Sequence, residues 1–276
     1  MKVIAIVGPP GSGETTLVEH LAERLAERGT VGTIKHLTCE PDLDAEGTDT
    51  ARHRGAGAEL TVGVSDDAGW FATGDSMSLD DALDRLAVPC DYAIIEGYSE
   101  VPLPQIALGG GSGEDVRLSA PEADAVDIEE ALAAVEATDP HETLASLVAE
   151  VKDSPREDRA GAIATFTGRV RAKEGPDDDP TEYLEFERYD GVAGERMTTL
   201  REELEAREGV HEVRLHHRTG VVEAGEDIVF VVVLAGHREE AFRTVEDGIN
   251  RLKDEVPLFK KEVTVSETFW AHQHQV

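Results

Sequence analysis

The residues that most restrict this chain's fold stand at its start, where KVIAIVG (Lys2–Gly8) runs into PPGSGETT and then into LVEHLAERLAERG. A short apolar run ending in glycine reads as a buried strand feeding a loop. Behind it Leu17, Leu21 and Leu25 recur at four-residue spacing with Glu and Arg opposite, and Gly29 stands where a helix C-cap belongs, so a helix follows. Strand, glycine-rich loop and helix in that order turn backbone N–H groups and the positive helix end toward one point, an arrangement that cradles phosphate. Gly8, Gly11, Gly13, Glu14, Thr15 and Thr16 are the nucleotide-binding candidates of this loop. They satisfy Gly-x4-Gly-Lys-[Ser/Thr] at every fixed position except the lysine, where Glu14 stands.

A lysine at that position reaches the β- and γ-phosphates as a point charge. A carboxylate instead sets a like charge beside polyphosphate, which costs roughly a few kcal/mol at a partly screened site. Loss of nucleotide hydrolysis with the fold retained is the expectation, and replacement of the missing cation by Lys35 is the alternative. Thr15 stands where a Mg²⁺-coordinating hydroxyl belongs. Asp91 or Glu96, at the two ends of the buried-strand segment DYAIIEGY (Asp91–Tyr98), is the carboxylate that would bind metal or orient water. VGTIKH (Val31–His36) reads as another strand and SLDDALDRLA as a helix capped by Ser78. Strand, helix and strand in succession imply a parallel sheet.

At 276 residues the chain suits two compact domains. An Ala- and Glu-rich helix (Asp127–Ala137) closes the first, residues 1–137; residues 138–140 are the linker and residues 141–276 the second domain. GGGSG (Gly109–Gly113) is a turn inside the first. In the second, strands at Gly161–Arg171, Thr181–Asp190, His211–Gly220 and Asp227–Gly236 alternate with helices at His141–Lys152, Gly194–Arg207 and Arg238–Glu255. The last of these shows Phe242, Val245, Ile249 and Leu252 on one apolar face. The expected architecture is an α/β phosphate-loop domain with a mostly parallel sheet, followed by an α+β domain.

Acidic residues number 58 against 26 Lys and Arg, a formal charge of -32. Such a chain repels nucleic acid and anionic membrane surfaces. No apolar run reaches membrane-spanning length, the N-terminus lacks a charged-then-apolar signal, and only Cys39 and Cys90 could pair. A cytoplasmic protein with reduced thiols is expected. Salt screens the self-repulsion of an acidic surface, so a halophilic protein is expected too, with a thermal midpoint that rises as KCl is added.

Against that background the chain has seven lysines, and Lys253, Lys260 and Lys261 fall within nine residues. In RLKDEVPLFKKEVTV, Pro257 stops the helix before a strand, so Lys253 from the helix end and Lys260 from the strand start converge on one anion pocket. Arg169 and Arg171 lie on one face at the end of a strand, suited to bidentate phosphate contact. His237 and Arg238 follow a very apolar strand at a helix N-terminus, where anions are favoured. A plainer alternative leaves Lys253 to complement the helix C-terminal dipole and Lys260 and Lys261 to decorate an edge strand. His216 and His217 face opposite sides of their strand, so with His211 they make a poor zinc site.

The segments IKHLTCEPDLDAEGTDTARHRGAGA (Ile34–Ala58) and IIEGYSEVPLPQI (Ile94–Ile106), with the loop, resemble MobB-type molybdopterin-guanine dinucleotide biosynthesis proteins over about Met1 to Ala137. That resemblance implies a GTP-binding accessory domain using Mg²⁺, with Lys35, His36, Asp44, Asp49 and Arg52 as pocket candidates; Glu14 departs from it. GAIATFTGRVR, EFERYDG, HHRTGVVEAGEDIVFVVVLAGHREEAF and LKDEVPLFKKE resemble, in order, the catalytic large subunit of molybdopterin synthase, the MoaE family, over about His141 to His272. This second resemblance implies a sulfurtransferase with no cofactor or metal in that domain. It would move sulfur from a thiocarboxylate on the C-terminal Gly-Gly tail of a small ubiquitin-like carrier onto cyclic pyranopterin monophosphate, building the dithiolene of molybdopterin. Lys253 is then implied as the essential acid/base or transient anchor for the carrier carbonyl, with Lys260 and Arg171 holding thiocarboxylate or phosphate. His237 and Arg238 would bind the pterin phosphate across a homodimer interface. The alternative is a non-catalytic adaptor that scaffolds molybdenum cofactor assembly.

Overall fold

The structure, a computed structural model, describes residues 1–39, 45, 47–111, 113–173, 175–176, 178–188, 191–264 and 268–271. The chain divides into two compact units, Met1–His141 and Glu142–Val276. Among the described residues no helix is long and apolar enough to cross a membrane.

In the first unit β1 (Lys2–Val7), α1 (Glu14–Ala26), β2 (Val31–Lys35), α2 (Asp49–Gly55), β3 (Leu60–Ser65), β4 (Gly69–Gly74), α3 (Leu79–Ala87), β5 (Tyr92–Glu96), β6 (Pro104–Leu108), β7 (Asp115–Ala120) and α4 (Ile128–Glu136) follow in order. Five strands form a parallel sheet in the order β2-β5-β1-β6-β7. β1 is central and needs apolar side chains on both faces. Ile4 and Ile6 pack with Leu17, Leu21 and Leu25 of α1 and Leu132 of α4, while Val3, Ala5 and Val7 pack with Leu83 of α3. Ser78 caps α3 through a reciprocal box with Asp81. The loop after β1 enters α1 through Gly13, whose φ of 91° and whose approach to Ala123 (an added Cβ would lie 2.7 Å from its Cβ) leave room for glycine alone. Gly29 is not the left-handed cap the spacing implied; the Asp91 carboxylate crowds its Cα, and a Cβ there would meet Oδ2 at 2.5 Å. Residues 138–140 are tied into this unit: Thr138 is 2% exposed, its carbonyl accepts from the Lys2 ammonium, and the His141 N–H donates to the Met1 carbonyl at 2.8 Å.

The second unit runs α5 (Leu144–Lys152), β8 (Ala162–Arg169), β9 (Thr181–Arg188), α6 (Val192–Glu205), β10 (Val210–His217), β11 (Gly220–Glu223), β12 (Asp227–Ala235), α7 (Arg238–Glu255), β13 (Leu258–Thr264) and β14 (Thr268–Ala271). Its antiparallel sheets have the orders β10-β12-β8 and β11-β9-β13-β14. The unbroken apolar run of β12 is explained by cover on both sides. Phe230, Val232 and Leu234 pack on Leu147 and Val151 of α5. Val229, Val231, Val233 and Ala235 face the main core with Leu200 and Leu204 of α6 and Val245, Ile249 and Leu252 of α7. One expectation fails on α7: Phe242 is 65% exposed, and the buried face is completed by Ala241, Thr244 and Gly248. A Cβ on Gly248 would lie 3.2 Å from Val231, and this close seating of α7 on the sheet carries Phe242 past the rim.

Candidate functional site

Two groups of predicted residues occupy defined places, one in each unit. In the first, the ends of β1, β2 and β5 bring Gly8, Lys35 and Glu96 to the carboxyl edge of the sheet, beside the start of α1. Glu96 is the hub: its Oε1 accepts from Lys35 Nζ at 2.6 Å and from Thr15 Oγ1 at 2.8 Å. Burial and then the Glu96 charge push the Glu14 carboxyl above the usual range, against the pull of the Gly8 backbone and the Lys35 charge. His36 stacks on Tyr98 with ring centroids 4.4 Å apart. Asp49 and Arg52 pair with each other on the exposed side of α2 at 3.2 Å, and Asp44 lies outside the described residues.

Asp91 does not belong to this group. It precedes β5 at the opposite edge of the sheet, about 16 Å from Glu96 by strand rise, and its carboxylate accepts from the N–H and hydroxyl of Thr30. A strand's direction decides which of its ends meets the loop, and in a parallel sheet that is the end carrying Glu96.

In the second unit β13 carries Lys260 and Glu262 on one face and Lys261 on the other, because side chains alternate along a strand. Lys260 stands opposite Phe186 of β9 and Glu262 opposite Leu184, so this face continues the buried one. Lys260 Nζ lies 3.1 Å from Glu262 Oε2, and Thr181 Oγ1 donates to Glu262 Oε1 at 2.6 Å. Burial pushes the Glu262 carboxyl up, but the hydrogen bonds from Thr181 and Lys260 and the charges of Lys260 and Arg171 outweigh it, leaving the carboxyl below its usual range. Arg171 and Lys260 thus act on one carboxylate. Lys261 turns away to Glu185 at 2.7 Å.

Arg171 does not share a strand face with Arg169. β8 ends at Arg169, whose guanidinium binds Asp227 at 2.9 Å, and Arg171 follows in an exposed turn. Lys253 is exposed in the last turn of α7, just ahead of the Val256–Pro257 turn into β13, and has no ion pair among the described residues. His237 is the N-cap of α7 and Arg238 its first residue. Fifteen residues separate Arg238 from Lys253, so a rise of about 1.5 Å per residue sets them about 22 Å apart, beyond the reach of two extended side chains. One chain therefore does not gather all five cations.

His216 stacks near Phe230 on the α5 side of its sheet and His217 meets Phe186 edge-on, with centroids 4.9 Å apart, on the other. Among the described residues no group of three or more His, Cys, Asp or Glu could hold a metal ion. Burial lowers the His217 pKa to about 4, although its Nδ1–H donates to the Arg218 carbonyl at 2.7 Å. Between that value and the ordinary 6.5 the unfolded chain binds a proton that the folded chain does not, so this group withdraws stability as the pH falls through that window. Urea unfolding of the wild type should lose about 2 kcal/mol more between pH 7 and pH 4.5 than that of His217→Gln.

The chain is 52% identical over 272 residues, 99% of its own length and 99% of the relative's, to a probable molybdopterin synthase of Haloferax volcanii. It belongs to the molybdopterin synthase family. Residues 136–255 match the family model of the MoaE protein and residues 3–128 that of the molybdopterin guanine dinucleotide synthesis protein B, MobB. The molybdopterin synthase catalytic subunit of Caulobacter vibrioides is 37% identical over 105 residues, 38% of this chain and 67% of the relative. A crystal structure of molybdopterin synthase from Staphylococcus aureus covers 49% of this chain and 93% of its own at 29% identity, with a TM-score of 0.42. The order of a MobB segment ahead of a MoaE segment is thus as the motifs led one to expect. Arg171, His237, Arg238 and Lys253 lie inside the MoaE match and Lys260 beyond it. Glu262, which pairs with the Lys260 ammonium, and Thr181, which donates to Glu262, were missed in the sequence; the signal available was the two-residue spacing of Lys260 and Glu262 on a strand.

Proposed function

We propose that the second unit acts in molybdenum cofactor biosynthesis by transferring sulfur from the thiocarboxylated tail of a small ubiquitin-like carrier to cyclic pyranopterin monophosphate. The observation that carries this reading is the cationic run where α7 passes into β13: Lys260 and Arg171 act on the same Glu262, and Lys253, in the preceding helical turn, has no ion pair among the described residues of a chain with formal charge -32. A thiocarboxylate, a cyclic phosphate and the charge released as that phosphate opens are all anionic, and fixed cations stabilise each of them. Glu262 holds the Lys260 ammonium in place. Lys253 is left free to move a proton or anchor the carrier carbonyl.

Because α7 separates His237 and Arg238 from Lys253, the complete pocket in this reading takes His237 and Arg238 from a second copy of the chain. The first unit serves as an accessory, and the acid-rich surface fits a protein that works at high salt in the cytoplasm. Incubation of the full chain with a thiocarboxylated carrier and the cyclic precursor tests the proposal through the appearance of dithiolene. No product from a folded wild type would instead favour the adaptor reading.

A further inference from the structure

The residues of the first unit do not fit the GTP and Mg²⁺ that a phosphate-cradling loop implies. The loop itself is well made: Gly11 and Gly13 have φ of 88° and 91°, and the first-turn N–H groups of α1 have no partner inside the helix. The chain's own carboxylate stands at its exit: Glu14, directly after Gly13, is the first residue of α1 and half-buried.

The cation beside that charge is already engaged. Lys35, the ammonium nearest the loop in this cluster, is bound to Glu96 at 2.6 Å, so Lys35 and Glu96 cancel and Glu14 leaves the group net negative. The Thr15 hydroxyl, which would face a metal ion, donates to the same Glu96 oxygen at 2.8 Å. A nucleoside triphosphate entering here meets a carboxylate where it needs an ammonium, and a second carboxylate behind the threonine.

We propose that Glu14, standing where the loop needs a cation and backed by Glu96, bars nucleoside triphosphates from the first unit. The loop geometry is then retained as a closed structural turn, and Glu14 sets the ligand specificity of the cradle by excluding polyanions. This differs from a mere loss of hydrolysis, since it denies binding as well as turnover. It concerns the first unit and does not depend on the sulfur-transfer reading of the second.

Calorimetric titration of the full chain with GTP and Mg²⁺ tests it, using wild type, Glu14→Gln, Glu14→Lys and Glu19→Gln, the last removing one exposed charge elsewhere on α1. Wild type and Glu19→Gln should show no binding up to about 1 mM ligand. Glu14→Gln, which keeps the shape and removes the charge, should gain measurable affinity, and Glu14→Lys should bind at least about 100-fold more tightly than wild type. Low-micromolar GTP binding by the wild type would overturn the proposal. So would Glu14→Gln and Glu14→Lys proteins that keep the wild-type melting profile and still bind no better.

Discussion

Replacement of Lys253 by alanine is expected to cut dithiolene formation by at least about 100-fold, the lower range for loss of a positioned acid or base. The side chain is exposed and unpaired among the described residues, so its removal leaves the core formed by Leu252, Val256 and Leu258 intact and the thermal midpoint close to wild type. A loss of activity would then belong to the chemistry. Lys253→Arg separates the roles, because a guanidinium keeps the charge yet neither gives up a proton at working pH nor attacks a carbonyl as an amine does. Activity restored by arginine would mean that Lys253 only neutralises charge; activity still absent would support proton transfer or covalent anchoring. Single-turnover rates carry the comparison, since a change in substrate affinity alone would leave them unmoved at saturation. Equal product from wild type and Lys253→Ala would remove Lys253 from the site.

The parts of the fold that were legible in the sequence are those whose cores impose a strong period. β1 and β12 read as continuous apolar runs because helices cover both faces, and α1 and α7 read as stripes because one side meets a sheet. The β3–β4 hairpin escaped because its apolar side chains do not point into a core: Val62 and Val64 alternate onto an exposed face opposite Ala72 and Trp70. Local propensity built that hairpin without a burial signal to announce it.

The residue types of the candidate site were legible in the sequence, their geometry less so. Three of the chain's seven lysines within nine residues, Lys253, Lys260 and Lys261, stand out directly in an acidic sequence. Which carboxylate each cation meets depends on strand register, as with Lys260 and Glu262 on one face of β13 and Lys261 on the other with Glu185. Asp91 was misplaced for a related reason: both ends of β5 carry acids, and only the direction of β5 beside β1 tells which one reaches the loop. Arg171 parted from Arg169 because the pairing of Arg169 with Asp227 ends β8 and the Val170 N–H turns to the Glu226 carbonyl.

The length of α7 makes the strongest demand on assembly. His237 and Arg238 sit at its start and Lys253 in its last turn, and no rotamer closes a gap of about 22 Å. If all of them serve one substrate, a second copy must present its helix start to the first copy's helix end. A two-fold axis does this twice, giving two equivalent sites per dimer. Chains carrying Lys253→Ala and chains carrying Arg238→Ala should each be inactive alone. Co-expressed in equal amounts they should recover about a quarter of wild-type activity, because half of the dimers are mixed and each of those retains one intact site of two. The mixed dimer, isolated by distinct tags, should show about half the wild-type rate per dimer, and its other site lacks both residues. Recovery no greater than the sum of the two parent variants would place His237 and Arg238 outside the sulfur-transfer pocket and leave Arg171, Lys253 and Lys260 to form it within one chain.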